Sequence, residues 1–512
     1  MTRAVQRTRI LLACVVASVA CGVEAPAPLP KFVVTTSDIT SVRGHAGSEE
    51  IADAVPTVGV AAPITLDGRF QDWTGLTAAV VDPAGDAGLS GIDLRTLRLA
   101  NDGEMLFIDL DTTVEIELDW GHGLSLFIDC DGPPSTGRWI RWDMGLRRGV
   151  LVGEDREEEL SFADLGFVAA PTTTGSRFEM TLARAALMDL LGACAMDAVR
   201  VRFEDRTAGG DALPDKAWIR YYFSGEEIQP RSLPEFERSL DTIRIVTWNV
   251  LWSGIVDPAM EPQFRRVLQA LEPDIIAFQE ILEHGETHAL VESWFPNEHW
   301  EYAGYGDRIT LGRFPRLWDW PGSYAPLDSR FTVAGFAMPG GEMLAVFNAH
   351  MSFGDQDAER QQEADSFIAY LRDLQTPGGA VDMPPGTPFV LTGDLNLVGD
   401  RSQLDTLLTG DIHDTDAFGP PHAPDWDGSD LADLFPLQAG RAFAYTWRDD
   451  GGSFWPGKLD YMIIPDSVLG VAQQFVLDTT ILSDEVLTTH GLERHDTDVS
   501  DHLPVVVDFS IK

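Results

Sequence analysis

Six apolar runs in the second half of the sequence each close on side chains that bind metal or carry protons, and few folds can accommodate that. They are IRIVTWNV (243–250) with Asn249, DIIAFQEI (274–281) with Glu280, MLAVFNAHMS (343–352) with Asn348 and His350, FVLTGDLNL (389–397) with Asp394 and Asn396, KLDYMII (458–464) with Asp460, and SDHLPVVVDF (500–509) with Asp501 and His502. Short, β-branched runs of this kind read as buried strands. An ionised carboxylate at the end of such a strand is costly unless something cationic meets it. Mg2+ or Mn2+ suits the task, because hard divalent cations take one or two carboxylates and keep several waters. Side chains two apart in an extended segment share a face, so Asn348 with His350, and Asp394 with Asn396, are each expected to face one pocket.

In this order, TWNV, FQEI, FNAHM, TGDLN, LDYMII and SDHLPV resemble the endonuclease/exonuclease/phosphatase superfamily, the deoxyribonuclease I-like proteins. The resemblance covers about residues 241–512 and implies an α/β four-layer sandwich, two packed mixed β-sheets flanked by helices, with the site at one end of the sheets. It implies Glu280 as principal metal ligand, with Asn249 and Asp501 completing the sphere. It further implies His502 as the base that activates water, Asp460 as its orienting carboxylate, Asp394 and Asn396 as the pair that positions water and phosphate oxygen, and His350 near the leaving group. Arg330, in LDSRFTVAGF, resembles a phosphate-contacting arginine, and Asn348 is grouped with it on the substrate side. Phosphoester hydrolysis needs the same inventory: neutralised phosphoryl oxygens, a placed water and a stabilised leaving oxygen.

The first half reads differently. Residues 1–21 pair three arginines with an apolar run, the layout of an export signal, and Ser18-Val19-Ala20-Cys21 resembles a lipobox that would tether the mature chain to a membrane through Cys21. Export, as a secreted or membrane-anchored lipoprotein, is therefore expected. Residues 22–58, rich in Ala, Pro, Ser and Thr, read as a flexible tether. Alternating runs such as LRTLRLAND (94–102) and AVRVRFED (198–205), punctuated by Gly, Asp and Pro, predict an all-β sandwich domain over 59–228, with a linker at 229–240 before the catalytic domain at 241–512. ITLDGRFQDWTG (64–75) and LFIDCDGPPSTG (126–137) resemble family 9-like carbohydrate-binding sandwich modules; Asp129 and Asp131 offer oxygens to Ca2+ there, against the alternative that they cap a turn. Cys130 and Cys194 are the cysteines left after the leader and can pair in an oxidising compartment, or remain buried thiols.

Charge bears on the substrate. The chain carries a formal −44, and residues 241–512 hold 15 Lys and Arg against 44 Asp and Glu. Neutralising a polyanion requires clustered cations, so a phosphoester that is a small molecule or a lipid is favoured over nucleic acid, with a secreted nuclease as the alternative. A cell-surface binding protein with a vestigial catalytic fold is the other alternative, and the intact motif set argues against it. The loop DIHDTDAFGPPHAPDWDGSDLAD (411–433), free of Lys and Arg, reads as an acidic filter beside the site. The expected state is a monomer.

Overall fold

In a computed structural model of the chain, the described residues are 52–512 except 131–136, 154–155, 230–235, 237, 239–240, 321–327 and 379–382. The export leader, most of the tether and of the linker, and Asp131 lie outside them.

The alternation in LRTLRLAN and MLFIDLDTTVEI gives each segment one apolar face, and Leu94–Asn101 and Met105–Ile116 pair antiparallel within a five-stranded sheet. A second, eight-stranded sheet carries Leu124–Asp129, Trp139–Asp143 and Ala198–Asp205. Leu97, Ile108, Leu126, Trp142, Phe178 and Val201 are buried in one core with residues from both sheets. Cys130 and Cys194 are joined by a disulfide, their Cα atoms 5.6 Å apart. Ala52–Val58, read from its composition as tether, is instead a strand that pairs in parallel with Ala217–Tyr222. It is the edge strand of its sheet, the position where a proline such as Pro56 is tolerated.

From Ile243 onward the chain forms two mixed six-stranded sheets. Ile245, Ile275, Ala334, Val346, Val390 and Val507 fill the core they share. Helix Glu261–Leu271 buries Phe264, Val267, Leu268 and Leu271 against one outer face, as its spacing predicts, with Pro262 in its first turn. Helix Asp357–Gln375 buries Phe367, Ile368 and Leu371 against the other. The four layers follow.

The two halves are not separated. Leu66 forms an isolated bridge with Phe443, and Thr173 with Gly399. Thr174 N donates to Gly399 O (2.6 Å) and the Thr172 hydroxyl to Leu397 O (3.0 Å). Trp455, from the second half, sits in the sandwich core with its ring 5.2 Å from that of Phe167.

One buried ion pair fixes strand register in the second half. Arg244 lies opposite Asp508 on neighbouring strands, and its Nε and Nη2 donate to the two carboxylate oxygens at 2.7 and 2.8 Å. Both side chains are almost completely buried. Asp508→Ala strands that guanidinium without its counter-charge, and it is expected to lower the unfolding free energy by about 3–5 kcal/mol. The urea midpoint measures this; a loss below about 1 kcal/mol would mean that the carbonyls of Phe236 and Leu271, which Arg244 also contacts, satisfy it alone.

Candidate active site

Topology brings the polar strand ends together. Ile243–Asn249 and Ile275–Gln279 run parallel with Asn249 opposite Gln279, so Glu280 emerges beside Asn249. In the facing sheet, Met343–His350 and Phe389–Asp394 run parallel with His350 opposite Asp394. Asp460 opens an antiparallel strand directly opposite Asp394. His502 precedes Val505–Ile511 and is held from behind, its carbonyl accepting from Trp248 Nε1 (2.8 Å) and its N–H donating to Ser500 Oγ (3.1 Å).

Two imidazoles converge on one carboxylate. His502 Nδ1 bonds Asp460 Oδ2 at 2.8 Å, and its Nε2 stands 3.5 Å from Asp394 Oδ2. His350 Nδ1 bonds Asp307 Oδ2 at 2.7 Å, and its Nε2 stands 3.8 Å from the same Asp394 oxygen. Each carboxylate holds an Nδ1–H, which leaves each Nε2 facing the pocket to take or give a proton. Burial disfavours the charged His502 ring, but Asp460 and Asp394 outweigh it and hold its pKa well above the usual histidine value. His350 is raised in the same way, with Asp307 and Asp394 prevailing over burial. Burial pushes Asp394 up to about 6 against the pull of the His502 imidazole. Burial raises the half-buried Asp307 as well, yet the contacts from His350 and Arg308 hold it well below the usual carboxylate range.

The donor set fits a hard divalent cation. Glu280, Asp394 and Asp501 supply carboxylate oxygen, and Asp501 Oδ1 and Asp460 Oδ1 are buried with no hydrogen-bond partner. The other Asp501 oxygen accepts from Trp447 Nε1 (3.0 Å). Asn249 Nδ2 lies 3.1 Å from both Glu280 Oε1 and Asp394 Oδ2, so a donor already occupies the space between these carboxylates, and the amide must turn over to present its oxygen.

Backbone strain gathers at the same place. Leu251, Trp252, Ser253, Glu280 and Asn396 all have φ between 48° and 61°. For non-glycine residues this left-handed conformation costs roughly 1–2 kcal/mol each. It is held by Trp252 N donating to Glu280 Oε2 (2.8 Å), Ser253 N to Glu280 O (2.7 Å) and Leu251 N to Asn249 Oδ1 (3.1 Å). Glu280 is thereby aimed by the turn it caps.

Two sequence expectations change. Asn348 does not share the pocket of His350: it is fully buried, accepting from Gln279 and donating to the carbonyls of Phe278 and Ile309, so it staples the sheets and presents nothing to a substrate. Asn396 does not follow Asp394 in extended backbone; it turns left-handed, its N–H donates to Asp394 Oδ1 (3.0 Å) and its side chain to Met351 O (3.1 Å). Arg330 stands at the start of Phe331–Ala337 with Nε 3.7 Å from Glu363. In the sandwich, Asp129 is buried and accepts from Cys130 N.

The acidic loop is also placed differently. Trp426 donates to Thr387 O and Asp425 accepts from Ser467, both at the opposite ends of their strands from Asp394 and Asp460. Asp414 caps a short helix. This part of the loop is no filter at the site.

The sequence reading missed Asp307, Thr446 and Arg360. Asp307 sits in the tight Gly306-Asp307 connection between Glu301–Tyr305 and Arg308–Gly312, where an aspartate signals a turn rather than a partner for histidine. Thr446 Oγ1 donates to Asp460 Oδ2 (2.7 Å) and orients it. Arg360, fully buried, donates to Ser352 O, Gly354 O and Val398 O, tying the segment after His350 to the segment after Asp394.

A profile of the Endonuclease/Exonuclease/phosphatase family matches residues 246–504. Among solved structures, the chain is similar to a humanized D. rerio TDP2 (13% identity, 53% of this chain and 99% of that one, TM-score 0.35). It is also similar to ANGEL2, a 2',3'-cyclic phosphatase (14%, 56% and 99%, TM-score 0.37), and to sphingomyelinase C from Streptomyces griseocarneus (15%, 52% and 99%, TM-score 0.32). No curated protein matches the chain significantly.

Proposed function

Because the chain belongs to the endonuclease/exonuclease/phosphatase family, we propose that it is an exported, divalent-metal-dependent phosphoester hydrolase. The observation that carries this reading is the pair of carboxylate-held imidazoles whose Nε2 atoms converge on Asp394 beside Glu280. A cation held by Glu280 and Asp501, with Asn249 once its amide is turned over, supplies charge neutralisation for the phosphoryl oxygens. Mg2+ suits these oxygen donors best, with Mn2+ as a substitute. His502 takes the proton of the attacking water at Nε2 while Asp460, itself fixed by Thr446, keeps the ring oriented. Asp394, between the two rings, positions that water. His350, backed by Asp307, delivers a proton to the leaving oxygen.

The rim supports a substrate with an apolar portion. Trp252, Leu282 and Phe353 are 51%, 66% and 68% exposed, and each lies within three residues of Asn249, Glu280 or His350. Exposed apolar side chains gathered around a polar site mark an interaction surface. With 15 basic against 44 acidic residues in this half, the surface suits a zwitterionic or uncharged phosphoester, a lipid or small molecule, better than a polyanion. Location outside the cytoplasm rests on the N-terminal leader, with Cys21 as the tether, and the disulfide in the sandwich fits an oxidising compartment.

Hydrolysis of bis-(p-nitrophenyl) phosphate, sphingomyelin vesicles, phosphatidylinositol phosphates, RNA and single- and double-stranded DNA in one Mg2+ buffer over a range of salt tests the assignment. DNA cleavage is expected to be weak at low salt and to rise as ions screen the repulsion. Efficient DNA cleavage that declines with added salt, the behaviour of a polyanion binder, would replace this reading with a nuclease.

A further inference from the structure

The sandwich carries an acidic cluster far in sequence from the catalytic motifs. Asp82 and Asp86 come from the loop between Val80–Val81 and Leu94–Asn101, in the five-stranded sheet. Asp211 stands just before Ala212–Leu213, which pairs with a strand of the eight-stranded sheet. One carboxylate oxygen from each lies within 4.8 Å of the others. Asp82 and Asp211 are buried and Asp86 is exposed.

Acidic side chains often meet at a surface without consequence, but two further features separate this cluster from that case. Asp82 is only 6% exposed and its Oδ2 has no hydrogen-bond partner, while Asp93 in the same loop is bonded through Oδ2 to Gly85 N. Buried anionic oxygens without donors are rare, because each forfeits the solvation it had in water. The loops around them are also stitched close by backbone. Gly88 N donates to Gly209 O at 2.6 Å, and a Cβ on Gly91 would stand 2.3 Å from Gly209 O. Leu94 N and Ala212 N donate to the two oxygens of Asp211 (2.9 and 2.6 Å), which fixes that carboxylate in place.

We infer that Asp82, Asp86 and Asp211 form a structural Ca2+ site that clasps the two sheets of the sandwich together. The donors are all hard oxygens, and separations of no more than 4.8 Å let all three reach an ion whose ligands stand about 2.3–2.6 Å away. Mg2+ dehydrates reluctantly and demands near-ideal octahedral geometry, so a site assembled from protein carboxylates on two separate loops suits Ca2+ better. The site stands apart from the catalytic reading and survives if that reading fails.

The test uses full-length protein stripped with EDTA and titrated with CaCl2, following Tm and, by calorimetry, the number of ions bound. Ca2+ is expected to raise Tm by several degrees. Asp86→Asn is the informative variant, because its side chain is exposed and the fold should tolerate it. It is expected to raise Tm of the stripped protein by relieving repulsion, to weaken Ca2+ binding at this site at least tenfold, and to remove most of the Ca2+-dependent gain. Glu280→Gln, at the catalytic site, should keep the gain. Asp82→Asn gives a second reading from the buried ligand. A wild-type protein indifferent to Ca2+, or a gain that survives Asp86→Asn and Asp82→Asn but is lost in Glu280→Gln, overturns the inference.

Discussion

His502→Ala is expected to lower turnover about 10²–10⁴-fold while the protein stays folded, the range over which a positioned general base contributes. The imidazole is buried, its Nδ1 is committed to Asp460 at 2.8 Å, and its Nε2 is the atom turned toward Asp394. No other described histidine is placed to replace it, since His350 is committed to Asp307 on the other side of the pocket. Asp460→Asn should cost less than the alanine variant at His502, because the ring remains while its orienting charge goes. The profile matters as much as the size: both changes should act on kcat with KM little altered, as expected when an interaction is made only in the transition state. A His502→Ala protein that keeps more than about a tenth of wild-type kcat would remove it as the base.

Exhaustive chelation is expected to abolish hydrolysis, with Mg2+ or Mn2+ restoring it. Glu280 is held in a left-handed backbone with Oε2 on Trp252 N, and Asp501 leaves one buried oxygen bare. Carboxylates arranged so close to Asp394 repel one another, and among the described residues no lysine or arginine hydrogen-bonds to any of the three. Glu280→Gln should therefore raise the metal concentration needed for half activity by at least about tenfold, the lower range reported for disturbed metal surroundings. Circular dichroism of the stripped protein separates loss of the catalytic ion from loss of fold. Full activity after EDTA treatment would dismiss the metal.

Much of this site was legible because its chemistry is local. A carboxylate or imidazole at the end of an apolar strand is conspicuous, and parallel pairing then brings Asn249 beside Glu280 and His350 beside Asp394 without further information. What the sequence could not show depends on contacts between distant segments. Alternation placed Asn348 on the same face as His350, but Phe278, Gln279 and Ile309 from the opposite sheet consume its amide. Asn396 defeats the two-residue period because the strand ends at Asp394 and the chain turns left-handed. Asp307 was hidden by its turn, and Arg360 by a helix whose apolar stripe gave no reason to bury a guanidinium. The fold class followed from patterning; the strand at 52–58 did not, since its ladder partner lies more than 150 residues away.

The union between the halves carries a consequence for descent. The turn at 397–401, which follows Asp394 directly, is bonded to Thr172 and Thr174, and Trp455 shares a core with Trp142 and Phe167. A lineage that exchanged this sandwich for another would strip Trp455 of its pocket and release the turn that follows Asp394 in one event. Substitutions on either side of the seam therefore have to be answered across it. The two halves are therefore expected to tolerate change jointly, not singly.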